Sequence, residues 1–369
     1  MKIPFVDLNA QYLSIKDNID EAIQDVLNDS EFIGGERVRK FENQFASLYG
    51  ARKCISVANG TDALYISMKM LGVGPGDEVI TTAHSWISTS ETIIQTGATP
   101  IFVDIEEDLF TIDPALIKAK ITEKTKAIIP VHIYGQMCDM QEIMKIADEH
   151  GLFVIEDCAQ AHFSELNGLR AGLYGDTGTF SFYPGKNLGA YGDAGSVITN
   201  NDSLAEKIRM YANHGALVKH QHQIDGINSR LDTLQAAILS VKLKYILKWT
   251  LLRQEKAKMY DELLGANPII DIPKVRANSR HSYHLYVLRC KKRDEIREYL
   301  DEHGIPTVLH YPKILPLLKP YSHFGYSPED FPVAYKYQHE ILSIPIFPEL
   351  STDQIHFITN AINSFGEKN

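Results

Sequence analysis

TFSFYPGKNLGAYGDAG, residues 179–195, changes character halfway. Its first five residues, Thr179-Phe180-Ser181-Phe182-Tyr183, are aromatic or small and polar, with no strong helix former, and read as a strand. Pro184-Gly185 breaks that strand. Lys186 therefore projects from a tight turn at a strand end, where open α/β sheets bind ligands. Aromatic walls strip water from such an amine and lower its pKa. A neutral amine is a nucleophile toward carbonyls. Taken alone, Lys186 would read as a surface-loop lysine; the residues placed beside it by the rest of the chain raise the functional reading.

Working backward from this turn, strands alternate with helices. Cys54–Ala58, Glu78–Thr82, Thr99–Val103, Ala127–His132 and Phe153–Glu156 read as strands. Helices are predicted at Ala63–Leu71, Ser88–Thr96, from Pro114 onward, and at Met140–His150. This rhythm predicts a mainly parallel sheet covered on both faces. Ahead of it, residues 17–30 and 37–49 carry apolar residues at helical spacing. Asn167–Gly175 reads as surface turns.

Working forward, Ser196–Thr199 adds a strand and Ser203–Asn213 a helix. His214–Asn228 is polar and histidine-rich, an extended loop. A long helical pattern then runs from Leu231 to about Leu264. Beyond it the rhythm changes to strands at Ser282–Cys290 and Pro306–His310, a helix at Lys292–His303, and two final helices around Ile344-Pro345-Ile346. We expect a large α/β domain over residues 1–250 and a smaller C-terminal α+β domain over 251–369.

Composition narrows the function. The 369 residues are 44% apolar and 23% charged, with a net charge of −10. An acidic balance argues against a nucleic-acid partner, because phosphate contacts need basic patches. No apolar run approaches the roughly 20 residues a bilayer requires. The N-terminal stretch lacks the apolar core of a signal peptide. Cys54, Cys138, Cys158 and Cys290 form no CxxC pair, which argues against zinc and disulfide frameworks and favours the cytoplasm.

Four separated features suit one cofactor. Asn59-Gly60-Thr61-Asp62 joins a strand to a helix, whose N-terminus offers free N–H groups to a phosphate; Thr61 or Asp62 is otherwise simply an N-cap. Trp86, one of two tryptophans, follows a strand end and either stacks on a flat ring or fills the core. Asp157 ends an apolar strand. A carboxylate there can hold a pyridine nitrogen protonated; the alternatives are capping or metal binding, and no metal-ligand spacing accompanies it. Lys186 supplies the amine. Phosphate cradle, ring face, acid and amine together describe pyridoxal phosphate.

Seven motifs, in order, then carry a resemblance: PFVDL (4–8), ANGTDAL (58–64), GVGPGDEVI (72–80), PVHIYGQ (130–136), VIEDCAQAH (154–162), FSFYPGKNLGAYGDAG (180–195) and NSRLDTLQAAIL (228–239). Over essentially its whole length the chain resembles the DegT family of pyridoxal-phosphate-dependent nucleotide-sugar aminotransferases. The resemblance implies fold type I, with a mainly parallel seven-stranded sheet covered by helices. It implies that Lys186 joins the cofactor's aldehyde and later moves a proton, and that Asp157 binds the pyridine nitrogen. Trp86 would stack on the ring and Gln160 would sit near its hydroxyl. Gly60, Thr61 and Ser181 would hold the phosphate, with Asn228 completing that site in a neighbouring subunit of a homodimer. Arg230, His310 and Tyr311 match positions that reach substrate.

L-Glutamate is the amino donor the resemblance implies. Residues 213–237 look more like relatives acting at C3 of a 3-keto sugar than at C4. Lys219 and His220, with His222 beside them, either meet the nucleotide's pyrophosphate or are solvated loop residues. No carboxylate sits at ligand spacing in this histidine cluster, so no metal is expected. Some relatives carry histidine in place of the lysine and act as dehydratases; Lys186 favours transamination. A pyridoxal-phosphate-binding regulator without turnover is the rival of another class. A dinucleotide site lacks its G-x-G-x-x-G.

Overall fold

The computed structural model describes residues 3–368. Its main sheet has seven strands: β1 (Lys53–Val57), β2 (Glu78–Thr82), β3 (Thr99–Val103), β4 (Thr125–Ile129), β5 (Phe153–Asp157), β8 (Thr177–Ser181) and β9 (Gly195–Thr199). Two short strands, β6 (Glu165–Leu166) and β7 (Leu169–Arg170), form a hairpin between β5 and β8. The spatial order is β1-β9-β8-β5-β4-β2-β3. Neighbours from β8 through β3 are parallel, and β9 is antiparallel to both β8 and β1. The six parallel strands therefore present their C-terminal ends along one edge. Their β-branched residues, such as Val79, Ile80, Ile128 and Ile129, are buried because helices cover both faces.

The helix Gly35–Tyr49 shows how local pattern becomes packing. Val38, Phe41, Phe45 and Tyr49 recur every three or four residues and are buried. Phe45 lies 5.3 Å from Phe180 and 5.4 Å from Phe182, ring centre to ring centre. Each buried phenylalanine contributes roughly 2–3 kcal/mol. This helix thus anchors the strand that leads to Lys186. It ends where Gly50 adopts a left-handed backbone, φ 88°.

Several elements differ from expectation. The strand before Lys186 is Thr177–Ser181, two residues earlier than its aromatic composition suggests. Phe182 continues the pairing to Ala194, but Tyr183 is exposed. The long helical pattern is two helices, Thr233–Leu243 and Ile246–Leu264. Pro306–His310 makes only a single bridge, Val308 to Ser343. The strand expected from Ser282 starts at Tyr286, forming β11 (Tyr286–Arg289) with β12 (Ile341–Ile344); β10 (Ser279–Arg280) joins the hairpin β6–β7 instead.

Asn167–Gly175 is more than surface turns. Its end is tied down by Glu156, fully buried, which accepts N–H bonds from Gly172, Tyr174 and Gly175 at 2.7–2.8 Å. A carboxyl group buried this deeply is tolerated because its lone pairs are satisfied.

The helix Ile246–Leu264 serves two cores. Ile246 and Trp249 pack with the large sheet's cluster, while Ala257, Tyr260 and Leu264 pack with the C-terminal cluster. Ile3 joins that second cluster, so the N-terminal segment lies against the C-terminal part of the chain.

Candidate active site

The site forms along the edge where β1, β2, β5 and β8 end. After β1, the helix Gly60–Met70 begins. Its N-cap is Asn59, whose side chain accepts from Asp62 N at 2.8 Å. Thr61 and Asp62 are therefore inside the helix and are not its cap. Thr61 instead shares a hydrogen bond with Ser88 Oγ at 2.8 Å. The first N–H groups of a helix lie outside its own ladder and point toward anions. A Cβ on Gly60 would sit 2.6 Å from the Cβ of Ser181, so only glycine lets the helix start this close to the end of β8.

Ser229 completes this corner, although no local pattern marks it. Its hydroxyl accepts from Ala58 N at 3.1 Å and donates to Asp62 Oδ2 at 2.6 Å. Ser229 is buried while Asn228 and Arg230 on either side are exposed. A serine between two larger polar residues has no signature; only the fold brings it to the helix.

Asp157 ends β5 and is buried. Oδ2 accepts from Thr89 Oγ1 at 3.0 Å and Oδ1 from Ala159 N at 3.1 Å. Burial raises its pKa, and these two donors and Lys186 oppose the rise. Thr89 sits in the helix Ser88–Thr96, 68 residues upstream.

Lys186 closes its turn by donating its N–H to Tyr183 O at 2.8 Å. Loss of water pulls its amine down to about 8, although Asp157 pulls the other way. Around it, His162 and His310 are held neutral, at about 3 and about 4, first by burial and also by Lys186. His284 is driven down for the same reasons.

Trp86 is 57% exposed, which excludes a core role. Its ring centre lies 5.6 Å from that of Tyr311. Tyr311 accepts from Gln160 Nε2 at 2.9 Å, and Gln160 Oε1 accepts from Tyr134 N at 2.7 Å. The Tyr134 hydroxyl donates to the His310 carbonyl. His310 is itself tied to Ser343, Nδ1 to Oγ at 2.8 Å. Gln160, His310 and Tyr311 thus form one hydrogen-bonded wall, with Trp86 beside it.

Lys219 and His220 do not join this group within the chain. They lie exposed in a loop bridged at Ala216 and His222, with no hydrogen bond to the site among the described residues. One cluster elsewhere has metal-ligand character: His132, Glu156 and Cys158. Its carboxylate already takes three backbone N–H groups and lies 2.9 Å from His132 Nε2, while His132 Nδ1 accepts from Cys138 N. These bonds use the lone pairs a metal would need.

The donor set fits pyridoxal phosphate. A depressed amine faces aldehyde chemistry, a held carboxylate suits a ring nitrogen, and a helix start beside a serine suits a phosphate. The comparisons agree. A protein of Geobacillus stearothermophilus named pleiotropic regulatory protein is 46% identical over 367 residues, 99% of each chain. The dTDP-3-amino-3,6-dideoxy-α-D-galactopyranose transaminase of Aneurinibacillus thermoaerophilus is 43% identical over 364 residues, again 99% of each. The crystal structure of S. venezuelae DesV with a ketimine intermediate superposes with a TM-score of 0.97 at 38% identity, covering 99% of both chains. The pattern of the DegT/DnrJ/EryC1/StrS aminotransferase family matches residues 13–363. The chain belongs to this family of aminotransferases, and its cofactor is pyridoxal phosphate.

Proposed function

We propose that the enzyme moves an amino group from L-glutamate to C3 of a dTDP- or UDP-linked 3-keto sugar, in the cytoplasm, for an amino sugar of a surface polysaccharide or related glycan. The observation that carries the reaction is the placing of Lys186 and Asp157 at one sheet edge, where each feels the other's charge. The sugar class is supported by the relative named as a dTDP-3-amino sugar transaminase.

Bound pyridoxal phosphate supplies an aldehyde to which amines condense and a ring that draws electrons from the substrate carbon. The chain's residues do the rest. Gly60, Thr61 and Ser181 would hold the phosphate. Asp157, its oxygens fixed by Thr89 and Ala159, would keep the ring nitrogen protonated. Lys186 would hold the aldehyde until an amino donor displaces it. The freed amine would then take the donor's α-proton and return one at the sugar carbon. General-base transfer of this kind contributes roughly 10²–10⁴-fold. Trp86 would cover the ring face, and Gln160 would address its hydroxyl. Arg230, His310 and Tyr311 are the proposed substrate contacts.

We also propose a homodimer with shared sites. Asn228, exposed here, would complete the partner's phosphate site. Lys219 and His220 would reach the partner's substrate. Leu217, Val218 and Ile224 expose apolar side chains in the same loop, as a buried interface would require. The division of the chain near residue 250 fits the two cores that share the helix Ile246–Leu264.

Lys186→Ala tests the reaction. The variant should fold and bind cofactor by its phosphate but lose the visible absorbance and the transfer of nitrogen from glutamate. Wild-type turnover by this variant would sink the assignment. A regulator without turnover is the second reading, favoured by the name of the Geobacillus relative. It predicts no change in the bound cofactor's spectrum with any amino acid.

A further inference from the structure

Lys242 is 1% exposed and makes no ion pair among the described residues, the carboxylate of Glu349 acting on it only through space. Burying an ammonium ion with no counter-charge in contact is costly. The location of its contacts accounts for its presence. Nζ donates to the carbonyl of Gly189 at 2.7 Å and lies 4.1 Å from the centre of the Tyr191 ring. Both residues belong to the loop that leaves Lys186.

The same helix makes a second contact with that loop. Gln235, two turns before Lys242, brackets Tyr191. Its Oε1 accepts from Tyr191 N at 2.8 Å and its Nε2 donates to Tyr191 O at 3.4 Å. Residues seven apart share a helix face. The loop's own closure is slight: Lys186 N to Tyr183 O and Ala190 N to Phe182 O. Gly189 lies against the Pro184 carbonyl, so the loop's two ends touch there. The Gly189 carbonyl is the point at which an outside group holds this pinch.

We propose that Lys242 is a positioning residue for Lys186: its ammonium group fixes the Gly189 carbonyl and, with Gln235, holds the turn so that the reacting amine sits in register with Asp157. This rests on the reading of Lys186 as the reacting amine. A misplacement on the scale of 1 Å costs about 10²-fold in rate. Binding of an amino donor is less sensitive, because the hydrogen bond Lys242 makes is to the loop backbone.

Hydrogen exchange on the cofactor-free protein, together with steady-state kinetics, tests the proposal. Lys242→Met removes the donor, and Lys242→Gln keeps a donor without charge. In K242M, amides of residues 185–191 should exchange about tenfold faster, with no change in the strands of the main sheet. Its kcat should fall by at least about tenfold, with the KM for glutamate within about threefold. K242Q should recover most of both. Wild-type exchange in this loop with wild-type kcat in K242M overturns the proposal, as does a K242Q variant as impaired as K242M. Should K242M fail to fold, Gln235→Ala, at a half-buried position, loosens the same loop, and its exchange must rise there. The exchange result stands whether or not glutamate is the donor. A failed Lys186→Ala prediction with a loosened loop in K242M would therefore fault the function and leave the clamp.

Discussion

Lys186 and Asp157 carry opposite charges, yet burial acts against both. The amine is lowered to about 8 and the carboxylate raised, each by loss of water, and each is partly restored by the other. The consequence for Lys186 can be measured. In the cofactor-free protein, capture of pyridoxal phosphate needs the neutral amine. Its rate should rise about tenfold per pH unit below about 8 and level off above, where an ordinary lysine would keep climbing past 10. The same shift acts on stability. An unfolded chain binds more protons than the folded one between about 8 and 10.5, so the penalty from this lysine fades as pH rises through that window. A capture rate still climbing tenfold per unit at pH 9.5 would show that the amine is not desolvated.

The helix Gly60–Met70 draws its role from what surrounds its first turn. Asn59 caps it in the manner its sequence allows. Ser229 reaches it from 167 residues away and fixes Asp62. Ser229→Ala removes both bonds and leaves Ala58 N without its acceptor. The expected loss is about 1–2 kcal/mol of stability, with weaker binding of pyridoxal phosphate. Urea unfolding and cofactor titration measure the two effects, and wild-type values in both would show that the corner holds without it. The loop after β8 is governed in the same way. Its amide and carbonyl groups are taken by Gln235 and Lys242 of the helix Thr233–Leu243, so the turn is shaped by an element the local sequence does not contain.

At the scale of the molecule, the proposed dimer makes a sharp prediction. Lys186→Ala and Asn228→Ala should each be poorly active alone. Refolded together in equal amounts, they should recover about a quarter of wild-type activity, because half the dimers are hybrids and each hybrid has one intact site. No recovery on mixing would place Asn228 outside the partner's site. The chain's own pattern determined much of this enzyme. Strand-helix alternation gave the parallel sheet, Pro184-Gly185 gave the turn at Lys186, and Asp157 was placed by the apolar run before it. These are local signals, set by periodicity and backbone restriction within a few residues. Tertiary structure decided that Trp86 is exposed, that Thr89 and Ser229 hold the site, that Glu156 anchors the segment after β7, and that Lys219 and His220 lie away from their own chain's site. Each of those depends on contacts between residues far apart in sequence, and a buried hydroxyl or lysine acquires its partner only when the elements pack.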